Sequence, residues 1–217
     1  MKKKLVLFVL FVLPIVAYLF FASGVNNFTK LPVVTANVPE LPSGWSALNG
    51  QRVSLDGKIT VLGFSGQNVL KNRGNLYNVY QRVYERYHEF NDLQFVYVSP
   101  IGTERDATYI LAQFKGVAKA GNWHFVFATP EEINAYYAQL KLKGKLNADV
   151  GTSNVYLLDK KRNLRGRQGD EYKEGYDSFH ISELSNKMLD DFKVLLYEYK
   201  AALKKNNNAS KSITREK

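Results

Sequence analysis

The stretch Asp56-Gly-Lys-Ile-Thr-Val-Leu-Gly-Phe64 decides the fold class of this chain. Its Asp-Gly turn leads into the apolar run Ile59–Phe64, which is typical of a strand buried on both faces. Apolar residues then recur at helical spacing over Asn75–Phe90, and a second apolar run covers Leu93–Ser99. This order predicts a βαβ unit with two parallel strands.

The same alternation continues toward the C-terminus. The pattern predicts further strands over His124–Ala128 and Asn154–Leu158, and further helices over Ala107–Phe114, Glu131–Leu142 and Leu184–Tyr199. Because helices separate most of the strands, the expected fold class is α/β, a compact three-layer α/β/α sandwich. The glycines do not have the spacing of a dinucleotide-binding fingerprint or of a P-loop.

The composition excludes several function classes. The chain has 217 residues, a formal net charge of +10 and no cysteine. Lys2–Lys4 and the tail 204–217 carry most of that charge, and the remainder is too small for a nucleic-acid interface. Without cysteine there is no disulfide, no thiolate metal site and no thiol redox step. We therefore expect no nucleic acid, no metal and no cofactor among its ligands.

The N-terminal residues predict a membrane anchor. Leu5–Ala22 is an uncharged run of 18 residues, and a helix of that length spans roughly 27 Å, close to the hydrocarbon thickness of a bilayer. Lys2–Lys4 precede the run and no basic residue follows before Lys30, so we expect a single-pass protein with a cytoplasmic N-terminus and an extracytoplasmic body. A cleaved signal peptide is the alternative, because Ala22-Ser23-Gly24 suits signal peptidase.

The rest of the chain divides into three further segments behind the anchor, which we place at residues 1–24. Residues 25–44 contain three prolines and little periodicity, which predicts an extended linker. The folded domain is expected over 45–203, and 204–217 are expected to form a basic, disordered tail, for which attraction to anionic lipid is an alternative role.

Four short stretches occur in the order that one known family shows. They are Asp56–Phe64, Glu104-Arg-Asp-Ala-Thr-Tyr-Ile-Leu111, Asn122-Trp123, and Asn154-Val-Tyr-Leu-Leu-Asp159 with Arg165-Gly166 behind it. Together they resemble the Sco/SenC family of membrane-anchored, thioredoxin-like proteins. The resemblance implies a thioredoxin-like domain on a membrane stalk, with the assembly of a respiratory oxidase as a context.

The chain departs from that family at the residues that bind copper and react with disulfides. The family carries two cysteines after the first core strand and a histidine before the later hairpin. Here the corresponding loop, residues 65–73, has no cysteine, and Gly151 stands where the histidine is expected. A chain without a thiolate has no nucleophile for disulfide exchange and no soft ligand for Cu(I). Copper delivery and dithiol reduction therefore do not carry over.

Two hypotheses remain for the function. The first is a redox-inactive binding or assembly module that acts through protein contacts. The second is an enzyme with non-thiol chemistry in the same pocket, although Ser65 lacks a histidine base in its neighbourhood of the sequence.

A thioredoxin-like sheet would bring the loop 65–73 and the segment around Gly151 together at one end. We predict that a partner contacts the neutral polar and basic side chains there. They are Gln67, Asn68, Lys71, Asn72, Arg73, Thr152 and Ser153.

Two single residues also carry predictions. Asp159 opens the turn Asp159-Lys-Lys-Arg-Asn163, and its carboxylate is expected to hold that turn. Tyr84 falls outside the main apolar face of the Asn75–Phe90 helix, which makes it a candidate exposed contact.

Overall fold

The computed structural model describes residues 8, 10–16, 30–114 and 121–215, with side chains described up to residue 202. Two compact units are present, Met1–Lys30 and Leu31–Lys217. In the first unit, residues 10–16 are helical and the apolar side chains of Phe8, Phe11 and Leu13 are exposed. Within the described ranges, no helix has both the length and the hydropathy that crossing a bilayer needs. Most of the predicted anchor, Leu5–Ala22, lies outside those ranges.

Strands and helices alternate through the second unit. The strands are β1 (Val33–Thr35), β2 (Ser46–Ala47), β3 (Ile59–Phe64), β4 (Leu93–Pro100), β5 (Trp123–Ala128), β6 (Asn154–Leu158), β7 (Leu164–Arg165) and β8 (Tyr176–Asp177). The helices are α1 (Arg73–Val79), the π-helical turn Tyr80–Tyr84, α2 (Glu85–Tyr87), α3 (Glu104–Phe114), α4 (Pro130–Gln139), the 3₁₀ turn Gly169–Glu171, α5 (Ile181–Glu183), a second π-helical turn Leu184–Met188, and α6 (Leu189–Arg215).

One mixed sheet organises the second unit. Its strand order is β1-β7-β6-β3-β4-β5-β2, and β8 pairs with β6. Strands β3, β4 and β5 are parallel, while β6 runs antiparallel to β3 and β7 antiparallel to β6. The parallel pair predicted from the Ile59–Phe64 and Leu93–Ser99 runs is therefore confirmed. Because the parallel strands share a direction, the loops that follow β3 and β4 lie at the same edge of the sheet.

Helices and loops cover both faces of the sheet. On one face, Ile59 and Val61 pack in a core with residues of α1, α3 and α6. On the other face, Leu62 and Phe64 pack in a second core with residues of α4 and of the segment 38–55. Side chains alternate along β3 between these two cores, as the pleat of a strand requires. The mixed α/β arrangement in three layers agrees with the sequence prediction.

The linker predicted over 25–44 differs from the structure from Leu31 onward. Val33–Thr35 form β1, an edge strand that pairs with β7, and Leu31, Val38 and Leu41 are buried. Pro32 does not prevent this pairing, because proline is tolerated on an edge strand and its carbonyl accepts the Gly166 amide at 3.0 Å. The folded unit therefore begins before Trp45, which is the start that the sequence predicts.

Tyr84 is buried rather than exposed, with 1% of its surface accessible. The cause is the π-helical turn Tyr80–Tyr84, which inserts a wider turn into the predicted helix. A wider turn rotates the residues that follow relative to a regular α-helix. Tyr84 therefore joins Tyr80 and Val83 in the core.

Candidate functional site

The loop after β3 and the segment before β6 meet, as the sequence predicts. Ser65 and Gly151 form an isolated antiparallel bridge. The Thr152 amide donates to the Phe64 carbonyl at 3.1 Å, and the Gln67 amide donates to the Asp149 carbonyl at 2.9 Å. Two segments some eighty residues apart in sequence thus form one backbone-bonded surface at the carboxyl edge of the parallel strands. We call it the loop surface, residues 65–73 and 149–153.

Two glycines allow this close approach. A Cβ on Gly151 would lie 2.9 Å from both the Cα and the amide nitrogen of Gly66. Gly66 itself has a φ of +71°, and a Cβ there would meet Asp149. Val150, which directly precedes Gly151, is buried and has a φ of +55°. Such a φ is rare for a β-branched residue and marks backbone strain. Gly151 stands where the resemblance to the Sco/SenC family predicts a histidine. The Gly66 backbone leaves no room for a side chain at this position.

The predicted surface residues fall into two groups. Gln67, Asn68, Lys71 and Arg73 are exposed. The other three are half-buried and contribute to local hydrogen bonds. Asn72 donates to the Ser65 carbonyl at 3.2 Å, Thr152 Oγ1 accepts from the Asn154 amide at 3.2 Å, and the Ser153 carbonyl accepts from the Ser178 amide at 2.9 Å. The exposed group is available to a partner, while the second group holds the loops in place.

Among the described residues, no histidine is hydrogen-bonded to Ser65. Its hydroxyl is buried and lies 2.5 Å from the hydroxyl of Ser99, with which it shares a hydrogen bond. The histidines are engaged elsewhere, since His88 Nδ1 contacts the Glu85 carbonyl and His180 Nδ1 contacts Asp177. His124 lies in β5, where burial lowers the pKa of its imidazole. Ser65 is in the expected place at the end of β3, and in the described part of the chain its hydroxyl is paired with Ser99 rather than with a histidine.

Sequence reasoning missed the segment after β8. The Ser178 amide bonds to Ser153, and the Ser178 carbonyl accepts from the Asn78 side chain of α1 at 2.9 Å. This places Phe179 and His180 beside the loop surface. Because the segment 169–180 has neither helical nor strand periodicity, its sequence gives no signal of this position.

Asp177 and His180 are hydrogen-bonded at the border of the loop surface. Their Oδ2 and Nδ1 atoms are 2.7 Å apart. Burial opposes ionisation of Asp177, but hydrogen bonds from His180, Ser153 and the Phe179 amide lower the pKa of its carboxyl below the usual value. The carboxylate therefore remains charged at neutral pH and fixes the segment that carries Phe179.

The residues of the loop surface do not fit copper. Its exposed side chains offer amide, ammonium and guanidinium groups, which are poor ligands for Cu(I). In the described part of the chain, no three histidine, aspartate or glutamate side chains form a group that suits a metal. One Asp149 carboxylate oxygen is buried without a hydrogen-bond partner, but a lone hard oxygen does not replace two thiolates and an imidazole.

Comparison with known proteins relates the chain to others through its fold. No family model and no curated protein matches the sequence. Among solved structures, BsSco, a member of the Sco family of cytochrome c oxidase assembly proteins, is 16% identical with a TM-score of 0.53, over 75% of this chain and 95% of that one. A candidate protein disulfide isomerase from Bacteroides thetaiotaomicron is 11% identical with a TM-score of 0.51, over 77% and 94%. The fold is thioredoxin-like.

These neighbours agree with the resemblance drawn from the four sequence stretches. Sco proteins and other thioredoxin-fold proteins match the structure, and this chain has no cysteine. The thioredoxin-like scaffold is thus present, and the thiols are absent from the sequence. At these identities the likeness concerns the fold.

Proposed function

We propose that this protein is a redox-inactive, thioredoxin-like binding or assembly module whose loop surface contacts a protein partner. One observation carries the proposal: two distant segments are bonded together by the Ser65–Gly151 bridge and present exposed Gln67, Asn68, Lys71 and Arg73. A surface of this kind recognises backbone carbonyls and carboxylates, for which guanidinium and ammonium groups make strong charge-assisted hydrogen bonds.

The proposed place of action is the extracytoplasmic side of a membrane. Its support is the uncharged run Leu5–Ala22 behind Lys2–Lys4, which favours an anchored chain with its body translocated. The structural likeness to BsSco, a cytochrome c oxidase assembly protein, supports the assembly of a membrane protein complex, such as a respiratory oxidase, as the process. The partner is then the extracytoplasmic part of another membrane protein or a protein of that compartment.

Site-specific photo-crosslinking in cells tests this proposal. A photoreactive amino acid replaces Gln67 on the loop surface or, as the matched control, Gln139, which is exposed near the end of α4. We expect the full-length protein to form a discrete crosslinked product with a membrane or extracytoplasmic protein from position 67 and not from position 139. Equal products from both positions, or no product from position 67, would contradict the proposal.

A further inference from the structure

Two large apolar side chains are exposed in one short segment after β8. Phe179 is 67% exposed and Ile181 is 42% exposed, and His180 between them is exposed as well. His180 has an extended backbone, with a φ of −94° and a ψ of 102°, so the Cα atoms of Phe179 and Ile181 are about 6.5 Å apart. These three consecutive residues form one exposed surface, which we call the apolar segment.

The apolar segment is joined to the loop surface by hydrogen bonds. Ser178, the residue before Phe179, donates from its amide to the carbonyl of Ser153 at 2.9 Å, and Ser153 belongs to the loop surface. The Asn78 side chain donates to the Ser178 carbonyl, also at 2.9 Å. Because Phe179 is the next residue, its Cα lies about 3.8 Å from that of Ser178. The apolar segment therefore continues the loop surface directly.

The backbone of the apolar segment is held on both sides. The Phe179 amide donates to the Asp177 carboxylate at 2.9 Å, and the His180 carbonyl accepts from the Glu183 amide at 2.9 Å. The rings of Phe179 and His180 meet edge-on, with centroids 5.2 Å apart. A group that is already held in place loses little conformational entropy on binding. Adjoining apolar side chains that stay exposed on a fixed backbone mark an interaction site.

His180 sets the polar chemistry that a partner needs here. Its Nδ1 lies 2.7 Å from Asp177 Oδ2, and an ionised carboxylate can only accept a hydrogen bond. We therefore assign the proton of the neutral imidazole to Nδ1, which leaves Nε2 as an acceptor, and no described residue bonds to Nε2. A protein that buries Phe179 and Ile181 also removes water from the imidazole between them, so it has to supply a hydrogen-bond donor.

The charges near the apolar segment favour a protein over a lipid surface. No lysine or arginine occurs between Glu174 and Asn186 in the sequence, and the charged side chain that bonds to the segment is the carboxylate of Asp177. Apolar side chains that enter a membrane surface are typically accompanied by lysine or arginine, which attract anionic headgroups. An apolar pocket on a protein therefore fits this segment better than a bilayer does.

We propose that the apolar segment inserts Phe179 and Ile181 into an apolar pocket of the protein partner, which places a hydrogen-bond donor on His180 Nε2. The inference rests on the proposed partner-binding function and adds the chemistry of the partner's site. A few aromatic side chains that fill pockets of the partner carry most of the binding energy of many interfaces. The exposed polar side chains of the loop surface then form the polar rim of the same interface.

Photo-crosslinking in cells identifies what covers the segment. A photoreactive amino acid replaces Phe179 in the full-length protein, with position 67 crosslinked in parallel. The matched control is Leu48, another exposed apolar residue, on the turn after β2. We expect the product from position 179 to contain the same protein as the product from position 67, with the crosslink mapped by mass spectrometry to apolar residues. Position 48 should give no such product.

Substitutions test the chemistry of the contact. With the photoreactive group at position 67, Phe179→Ser and Ile181→Ser should each lower the yield of the product at least severalfold. His180→Asn should lower it as well, because asparagine can replace Nδ1 as the donor to Asp177 but has no acceptor at the place of Nε2. Leu48→Ser, the matched control, should leave the yield unchanged. All four variants should keep the thermal midpoint of the parent, because the replaced side chains are exposed.

The outcomes separate this inference from the proposed function. A product from position 67 with none from position 179, or an unchanged yield in Phe179→Ser, would overturn the inference and leave the proposed function standing. A product from position 179 that contains a lipid or a second copy of this chain would also overturn it, because the occupant would then not be the partner. No product from position 67 would contradict the proposed function, and this inference with it.

Discussion

At the scale of single residues, Gly151 determines how closely the two loops approach. Alanine at this position would place its Cβ 2.9 Å from the Gly66 backbone, and backbone on both sides leaves little freedom to move. We expect Gly151→Ala to lower the free energy of unfolding by about 1–3 kcal/mol, the usual cost of overpacking. Urea denaturation of the full-length protein measures it.

Gly74→Ala is the matched control for that substitution. Gly74 lies in α1, and a Cβ there meets nothing within 4 Å. Alanine in a helix is favoured over glycine by roughly 0.5–1 kcal/mol, so this variant should be at least as stable as the parent. A Gly151→Ala protein as stable as Gly74→Ala would show that the loops are not packed as described.

Asp159 shows what the sequence predicts well at this scale. Its carboxylate accepts from the amides of Lys161 and Asn163 at 2.9 Å each, and from Arg165 at 3.0 Å. The turn-holding role inferred from the Asp159-Lys-Lys-Arg-Asn163 pattern is confirmed, because that role depends only on residues nearby in sequence. The sequence does not predict the burial of Tyr84, because that burial depends on a π-helical turn. It does not predict the place of Phe179 either, because that place depends on the contact of Ser178 with α1, which no local pattern encodes.

At the scale of elements, the β6–β7 turn ties the start of the folded unit to α6. Arg165 is buried and bonds to Asp159 and Glu198, and it also donates to the Leu31 carbonyl at 2.8 Å. Asp159→Ala should destabilise the protein by about 1–3 kcal/mol, because it leaves turn amides and one nitrogen of the buried Arg165 without their acceptor, while Glu198 still compensates the charge of Arg165. Chemical denaturation measures the effect, with Asp170→Ala as the matched control, since Asp170 is an exposed aspartate of the neighbouring 3₁₀ turn. Equal stabilities of the two variants would contradict the prediction.

Asp92 links β4, the β6–β7 turn and α6 in a way that depends on pH. Hydrogen bonds from Lys160, at 2.6 Å, and from Tyr199, at 2.7 Å, lower the pKa of its carboxyl. Because this pKa is lower in the folded state, the charged carboxylate stabilises the protein at pH values above the unfolded-state pKa of about 3.9. That stabilisation is lost as the pH falls through the folded-state pKa. The contribution is modest, because the carboxylate is partly exposed.

Asp92→Asn tests that linkage. The parent should be more stable than the variant at pH 7, and the difference should shrink as the pH falls below about 4. Thermal midpoints measured from pH 7 to pH 3 report it. A stability difference that does not change over this range would show that Asp92 acts through something other than its charge.

The order of elements could be predicted from the sequence, while the start of the folded unit could not. Runs such as Ile59–Phe64 and Leu93–Ser99 identify buried strands because periodicity is a local property. Val33–Thr35 are an edge strand of three residues beside prolines, so their pairing with β7 depends on tertiary contacts alone. The meeting of the two loops followed from the resemblance to a thioredoxin-like sheet rather than from the residues of the loops.

At the scale of the whole molecule, the proposed membrane topology has a direct test. The test is a reporter fused after Lys217, of a kind that works only outside the cytoplasm. We expect it to be active, because Lys2–Lys4 hold the N-terminus on the cytoplasmic side. A reporter active in the cytoplasm would overturn the orientation. A mature protein that begins near Ser23 would replace the anchor by a cleaved signal peptide.

The central claim is that the loop surface binds a protein partner, and charge reversal at Arg73 tests it most directly. Arg73 is exposed at the start of α1, and its guanidinium contacts the Leu70 carbonyl at 3.0 Å, so its loss leaves the core intact. The measurement is the affinity of the full-length protein for the partner captured at position 67, with Arg86→Glu as the matched control. We predict that Arg73→Glu weakens binding by about tenfold or more, since a hydrogen bond to a charged group contributes about 1.5–3 kcal/mol, at an unchanged thermal midpoint. Equal affinity of Arg73→Glu, Arg86→Glu and the parent would contradict the account.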